Sequence, residues 1–190
     1  SKLVTMKQDK MLEQIYSISF SDKINKVITG LNHFKEETEK IISNIVVHEV
    51  ISRKIFFSMK ILLTGLKKNL TDLKNEFTRE DNALKKLEHQ EVDQIIMTMY
   101  HAYDSIYSMT KIMMKNQVTF KNPGILQEMY EICNVGNIVL EKIKEDFPIF
   151  TQSIKEANDL TNKIHSNIMN FKIIDEKEIE IKISPEVITN

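Results

Sequence analysis

"FFSMKILLTGLKKNLTDLKNEF", residues 56–77, places apolar side chains three and four positions apart along its whole length. The members of this seam are Phe56, Met59, Leu63, Leu66, Leu70, Leu73 and Phe77. Such spacing is that of a heptad repeat, which puts all of these side chains on one side of a helix, where neighbouring helices must cover them. The stretch therefore predicts a long helix inside a helical bundle.

The composition of the chain favours the same fold class. Its 190 residues include only four glycines and three prolines, so little in it interrupts a helix. A chain of this length is expected to form one domain with a single sizeable core. We predict an all-α bundle of about five helices over residues 1–171, followed by a tail over residues 172–190.

Apolar periodicity predicts two helices before the seam at 56–77. A short leading helix is expected over residues 6–20, and a longer one from an N-cap pair at Ser21 and Asp22 to about residue 50. Glycine and proline are absent from "HEVISRK" at 48–54. The chain therefore either turns there or continues as one helix.

Three more helices are predicted after the seam. A capping box in "TRED", residues 78–81, predicts the start of the third, which ends before the "KNPG" loop at 121–124. Gly136 is expected on the packing face of the fourth, where a small residue lets another backbone approach. Pro148 predicts a restart, with Asp146 as the cap of the fifth. Their seams comprise Leu84, Val92, Ile95, Met99, Ala102, Ile106, Met109 and Met113, then Leu126, Met129, Cys133, Leu140, Ile143 and Phe147, then Phe150, Ile154, Ala157, Thr161, Ile164, Ile168 and Phe171.

The last segment of the chain has a different period. In "EIEIKISPEV", residues 178–187, isoleucines alternate with charged residues, and a period of two is typical of a strand. Together with "KII" at 172–174 it could form a small hairpin. We predict an extended or hairpin-like tail.

Charge and cysteine content exclude several function classes. Lysine plus arginine number 26 against 27 acidic residues, so no net field attracts nucleic acid. The single cysteine, Cys133, excludes an intrachain disulfide framework and a cysteine zinc cluster.

The longest apolar run, at 55–66, is interrupted by Lys60 and is shorter than the roughly 20 residues of a transmembrane helix. We expect no transmembrane segment.

Catalytic motifs do not occur in the sequence. The glycines are too far apart for a phosphate-binding loop, and G-x-S-x-G, E-x-x-H and H-E-x-x-H are all missing. Partial metal sites remain in His33 with Glu36 and Glu37, His89 with Asp93, and His101 with Asp104. Pairs of this kind are common on solvated helix faces. We predict a protein that is not an enzyme, with no catalytic residues, no cofactor and no metal.

Three tyrosines are the candidate partner-binding residues. Tyr100, Tyr103 and Tyr107 step by three and four, so they form one stripe, each with a ring to bury and a hydroxyl to leave in water. Such a stripe fits the border of a core under a neighbouring helix. It is also where we expect a protein partner to bind, because tyrosine is enriched in binding hot spots.

Two phrases carry a family resemblance. "SDKINKVITGLNHFKEETEKI" at 21–41 and "ILLTGLKKNLTDLKNEF" at 61–77 resemble the mature ectodomains of helical surface lipoproteins of Borrelia spirochaetes. The resemblance lies in composition and helical pattern across most of the chain. It implies a protein of the cell surface or outer membrane, anchored through an acylated cysteine before residue 1, that binds a host macromolecule without enzymatic activity.

A second resemblance supports an alternative function. "ALKKLEHQEVDQI" at 83–95 is similar to helical phosphate-uptake regulators, which implies a cytoplasmic regulatory bundle that binds a metal or ligand. That family's paired acidic metal motifs do not recur here. The opening "SKLVTMKQDK" has neither an apolar signal core nor a lipidation cysteine, so both compartments stay open. Homodimerisation also stays open, because a dimer would bury any seam left exposed by the bundle.

Overall fold

A computed structural model describes residues 2–48, 53–79, 83–120 and 124–173. Its long helices are α1 (Lys2–His48), α2 (Arg53–Phe77), α3 (His89–Lys115), α4 (Gly124–Asp146) and α5 (Thr151–Met169). Short 3-10 helices at Ala83–Lys86 and Pro148–Phe150 precede α3 and α5. The prediction of an all-α bundle with about five helices is confirmed.

The long helices form a ring in which each packs mainly against two neighbours, and α3 and α4 also contact each other across it. Around the ring the order is α1, α2, α4, α5 and α3, and α3 returns to α1. The ammonium group of Lys23 on α1 donates a 2.9 Å hydrogen bond to Glu76 at the far end of α2, so these two helices are antiparallel. Of the two predicted alternatives, two separate helices are therefore the correct one.

The predicted seams form the core of the bundle. On α2 every seam residue from Phe56 to Phe77 is buried. The same holds for the seam residues of α3 and α4, and for Ile154, Ala157 and Ile164 on α5. A single hydrophobic cluster joins them, with Phe150, Ile168 and Phe171 only partly buried against it, so the period of three and four identified most of the predicted core side chains correctly.

The predicted break at Ser21 and Asp22 is wrong, because α1 is continuous through both residues. Its 47 residues correspond to about 70 Å, against about 38 Å for the 25 residues of α2. Because Lys23 pairs with the end of α2, residues 2–22 extend beyond it. The preference of serine and aspartate for cap positions is not enough to end a helix by itself. Neither glycine nor proline lies next to Ser21 and Asp22 to interrupt it.

The prediction that the third helix starts with a cap at Thr78 is also wrong, while Asp81, the other member of the predicted capping box, lies outside the described residues. Thr78 ends α2, where its hydroxyl donates a 2.8 Å hydrogen bond to the carbonyl oxygen of Lys74. The next long helix, α3, starts at His89, where a carboxylate oxygen of Glu91 accepts a 3.1 Å hydrogen bond from the backbone N–H of Glu88. This is the reciprocal half of a capping box. The sequence pattern missed it because glutamate, and not serine or threonine, occupies the cap position.

The restart at Pro148 is confirmed, but Asp146 is not the cap. Asp146 is the last residue of α4, and its carboxylate lies 3.8 Å from the ammonium nitrogen of Lys142. Phe147 precedes the 3-10 helix, and Pro148 opens it. A proline there loses no hydrogen bond, because the first N–H groups of a helix have no partner within it.

The described chain ends in an isolated contact between two extended residues. The backbone N–H of Phe120 donates a 3.0 Å hydrogen bond to the carbonyl oxygen of Lys172, and Phe120 and Ile173 form a parallel bridge. The strand or hairpin predicted beyond Ile173 lies outside the described residues. The same is true of residues 121–123 in the predicted loop.

Candidate interaction surface

The histidines proposed as partial metal ligands are not assembled into a metal site. Among the described residues, no three histidine, cysteine, aspartate or glutamate side chains are grouped so that they could hold a metal ion. The ring of His89 instead packs edge-on against Phe147, with centroids 5.6 Å apart. That of His101 packs against Tyr100 at 5.9 Å. Both histidines therefore act as aromatic neighbours within the bundle surface.

Cys133 lies in the core on α4. Burial raises the pKa of its thiol to about 12. Because the thiolate is the reactive form, a thiol with this pKa is a poor nucleophile at neutral pH. Cys133 thus serves as a small apolar core residue.

Tyr103 does not lie on a surface stripe, so the prediction that its hydroxyl meets water is wrong. The side chain is fully buried, and its hydroxyl oxygen has no hydrogen-bond partner among the described residues. The ring end lies against Gly136, where an added Cβ would be only 2.7 Å from Cζ. The close approach expected at Gly136 is thus made by a side chain and not by a backbone.

Tyr100 and Tyr107 lie half-buried at the border of α3. The ammonium nitrogen of Lys111 lies 4.6 Å from the centre of the Tyr107 ring, and that of Lys163 lies 6.0 Å from it. These cation–π contacts cover part of the ring from two helices. Partner binding through Tyr100 and Tyr107 stays a prediction.

The outward face of α2 combines exposed apolar side chains with cations. We use this name for Lys54, Phe57, Lys60, Ile61, Gly65 and Lys68, all of which are exposed. Phe57 is 56% exposed and Ile61 is 70% exposed, and residues four apart are neighbours on a helix surface. Phe57 and Ile61 belong to the apolar run at 55–66 but not to the seam, and their spacing alone does not show that they stay exposed in the folded bundle.

The lysines of this face are not used to hold the bundle together. Among the described residues, no carboxylate forms an ion pair with Lys54, Lys60 or Lys68. By contrast, Lys67 hydrogen-bonds Glu131 on α4, a contact that raises the pKa of Lys67 and lowers that of Glu131. Lys67 therefore links α2 to α4, while the other three cations face outward.

Gly65 makes a notch in the outward face of α2. A Cβ added there would meet nothing within 4 Å, so packing inside the described bundle does not require a glycine. A glycine in a helix interior nevertheless costs about 1 kcal/mol relative to alanine. The bare backbone is thus open to approach from outside.

An open groove of about 670 Å³ lies between the end of α2 and the surface of α4. It is lined by Thr78, Asn137, Ile138, Glu141, Lys142, Lys144 and Glu145. Lys142 lies within 4.0 Å of two carboxylates, those of Glu145 at 3.9 Å and Asp146 at 3.8 Å. The lining thus combines a hydroxyl, an amide and side chains of both charges.

No protein-family model and no curated protein matches the sequence, and no solved structure matches the fold. Within the described residues, none of the helices has both the length and the hydropathy needed to cross a bilayer. The outward face of α2, with its exposed apolar side chains and cations, is therefore the candidate interaction surface.

Proposed function

We propose that this protein is a non-enzymatic helical bundle that binds a macromolecular partner, as a lipid-anchored protein of the cell surface. The observation that carries the binding role is the outward face of α2, where Phe57 and Ile61 are more than half exposed. An apolar centre with a charged rim is the usual anatomy of a protein interface. The cell-surface location is supported by the resemblance to Borrelia surface lipoproteins.

The free energy of burying apolar side chains favours the binding of a partner at this face. Full burial of a phenylalanine or isoleucine side chain is worth roughly 1.5–3 kcal/mol, and the bundle gains only part of this from Phe57 and Ile61. A partner that covers both would gain most of the remainder. The core of the bundle does not need these side chains, because the buried seam lies on the opposite side of α2.

Binding can be tested with the full chain against purified extracellular host proteins by surface plasmon resonance. Phe57→Ser/Ile61→Ser is compared with the wild type, and Ile149→Ser is the matched control because Ile149 is 71% exposed elsewhere on the bundle. We expect at least one protein to bind the wild type and the control and to bind the double variant at least tenfold more weakly. Equal binding to all three chains would remove the proposed surface.

The proposed location has its own test. Cells that express the full gene are grown with labelled palmitate, and intact cells are treated with protease. A labelled, protease-accessible protein is expected. An unlabelled protein that protease reaches only after lysis would contradict the cell-surface proposal while leaving the binding result intact.

A further inference from the structure

We infer that the outward face of α2 docks an acidic amphipathic helix of a partner protein. This inference rests on the proposed function and narrows its partner class. It depends on three observations on the same face: the spacing of the exposed residues, the notch at Gly65 and the lysines that have no ion-pair partner among the described residues.

The spacing of the exposed residues fits a helical partner. Phe57, Ile61, Gly65 and Lys68 follow one another by four, four and three positions. This is the spacing with which helices pack their ridges and grooves against each other. The outward face of α2 thus repeats, on a smaller scale, the pattern of the buried seam.

The notch at Gly65 fits close helix packing better than a lipid surface. With no side chain at Gly65 and nothing within 4 Å of the position, a large side chain from an approaching helix can lie directly on the backbone of α2. A helix that binds a bilayer instead presents apolar side chains along its whole face. The notch would leave a gap in that contact.

The cations define the charge of the partner. Lys54 and Lys68 span about 21 Å of helix, with Lys60 between them, and none of the three has an ion-pair partner among the described residues. Carboxylates at the edges of a docked helix would meet these charges and set its register. A second copy docked through the same face would oppose lysine to lysine, so self-association there is disfavoured.

Labelled synthetic peptides provide the test. One 18-residue peptide has leucines at helical spacing flanked by glutamates, and its matched control has lysines in place of the glutamates. Binding to the full chain is measured by fluorescence anisotropy at 50 mM and 300 mM salt. We expect the acidic peptide to bind at least tenfold more tightly than the basic one, and more weakly at the higher salt because exposed charges are screened.

Two variants make the test specific for helix docking. Phe57→Ser/Ile61→Ser is expected to weaken binding of the acidic peptide at least tenfold, while Ile149→Ser leaves it unchanged. Gly65→Leu is expected to abolish binding without lowering the melting temperature, because a Cβ added there meets nothing within 4 Å and leucine favours a helix over glycine. Unchanged binding by Gly65→Leu would overturn the inference, as would equal binding of the two peptides.

The remaining outcomes identify a different occupant. Co-sedimentation with phosphatidylglycerol vesicles that is lost in Phe57→Ser/Ile61→Ser, without peptide binding, would assign the face to an anionic membrane. Peptide binding that appears only after Glu176, Glu178 and Glu180 are replaced by lysine would assign it to the chain's own C-terminal residues. Either result overturns docking of a partner helix. A host protein that binds through Phe57 while the acidic peptide does not would overturn only this inference and leave the proposed function standing.

Discussion

The hydroxyl end of Tyr103 on α3 fills the space that a side chain at Gly136 on α4 would need. This contact lets the largest fully buried side chain of the described core lie between helices that are adjacent through a short loop in the chain. Burial raises the pKa of the Tyr103 hydroxyl well above its ordinary value. The hydroxyl is therefore neutral throughout the physiological pH range.

Gly136→Ala is expected to destabilise the protein by about 1–3 kcal/mol, the usual effect of overpacking a core. The new Cβ would lie 2.7 Å from Cζ of Tyr103 and 3.2 Å from Cε1. The loss should appear although alanine favours a helix over glycine by about 1 kcal/mol. Urea unfolding followed by circular dichroism measures the change.

Tyr103→Phe provides the control for that experiment. Because the hydroxyl has no hydrogen-bond partner among the described residues, its removal should leave stability unchanged or raise it by about 1 kcal/mol. Gly136→Ala should then be less harmful in the Tyr103→Phe background, which a double-mutant cycle measures. Strictly additive effects would mean that the two residues do not compete for the same space.

Acidification through the histidine range is expected to destabilise the protein through His165. Burial lowers the pKa of His165 below its ordinary value of 6.5, and its Nε2 atom has no partner among the described residues. In this range the unfolded chain binds the proton more readily than the folded chain, so stability falls as pH decreases below about 6.5. Urea unfolding at several pH values between 7.5 and 5 measures the slope.

His165→Gln should reduce that slope. The carboxylates of Glu76 and Glu131 have lowered pKa values through hydrogen bonds to Arg79 and Lys67 respectively, and their stabilisation is lost only as pH falls through the more acidic carboxylate range. The loss of stability that comes from protonating these two carboxylates therefore appears at lower pH than the loss that comes from protonating His165. An identical slope between pH 7.5 and 5 in His165→Gln and the wild type would assign the effect to another group.

Cys133 is expected to react with a thiol reagent only when the bundle opens. The side chain is buried, and burial raises its pKa to about 12, so both access and thiolate formation are suppressed at pH 8. Labelling of the native protein should be at least a hundredfold slower than in 6 M guanidinium chloride. It should accelerate in Gly136→Ala, because a less stable bundle opens more often. Rapid labelling of the native wild type would place Cys133 outside the core.

Asp22→Pro tests the continuity of α1. In the first turn of a helix that began at residue 22 or 23, proline would be tolerated. In the interior of a helix that runs from Lys2 to His48, it removes a hydrogen bond and costs roughly 3 kcal/mol. We expect a clear loss of helical circular dichroism relative to Asp22→Ala. Equal spectra for these two variants would support two separate helices.

Several parts of the fold could be predicted because they depend on local spacing. The seam from Phe56 to Phe77, the core position of Cys133 and the restart at Pro148 each follow from residues within a few turns of each other. Helix ends were less predictable. Ser21 and Asp22, and the stretch beginning at Thr78, have the composition of helix starts, yet cap preferences are worth only about 1 kcal/mol and yield to tertiary packing.

The charge of the outward face of α2 could not be predicted from the sequence either. The charge balance of the whole chain did not predict that Lys54, Lys60 and Lys68 lie together on an exposed helix face, where Asp72, one turn beyond Lys68, offsets part of their charge. Tyr103 was predicted to lie at the surface and is buried. Its spacing matched that of Tyr100 and Tyr107, but a slot at Gly136, distant in sequence, decided that it is buried.

The amino-acid sequence by itself determined that this chain is a helical bundle and which apolar stripes form its core, because helical periodicity is a property of neighbouring residues. Only the tertiary structure decided that α4 and not α3 lies beside α2, that Tyr103 is buried, and that Phe57 and Ile61 remain exposed. These outcomes depend on which helix covers which side of its neighbours. That choice is made by the shapes and charges of whole helix faces and not by any local pattern.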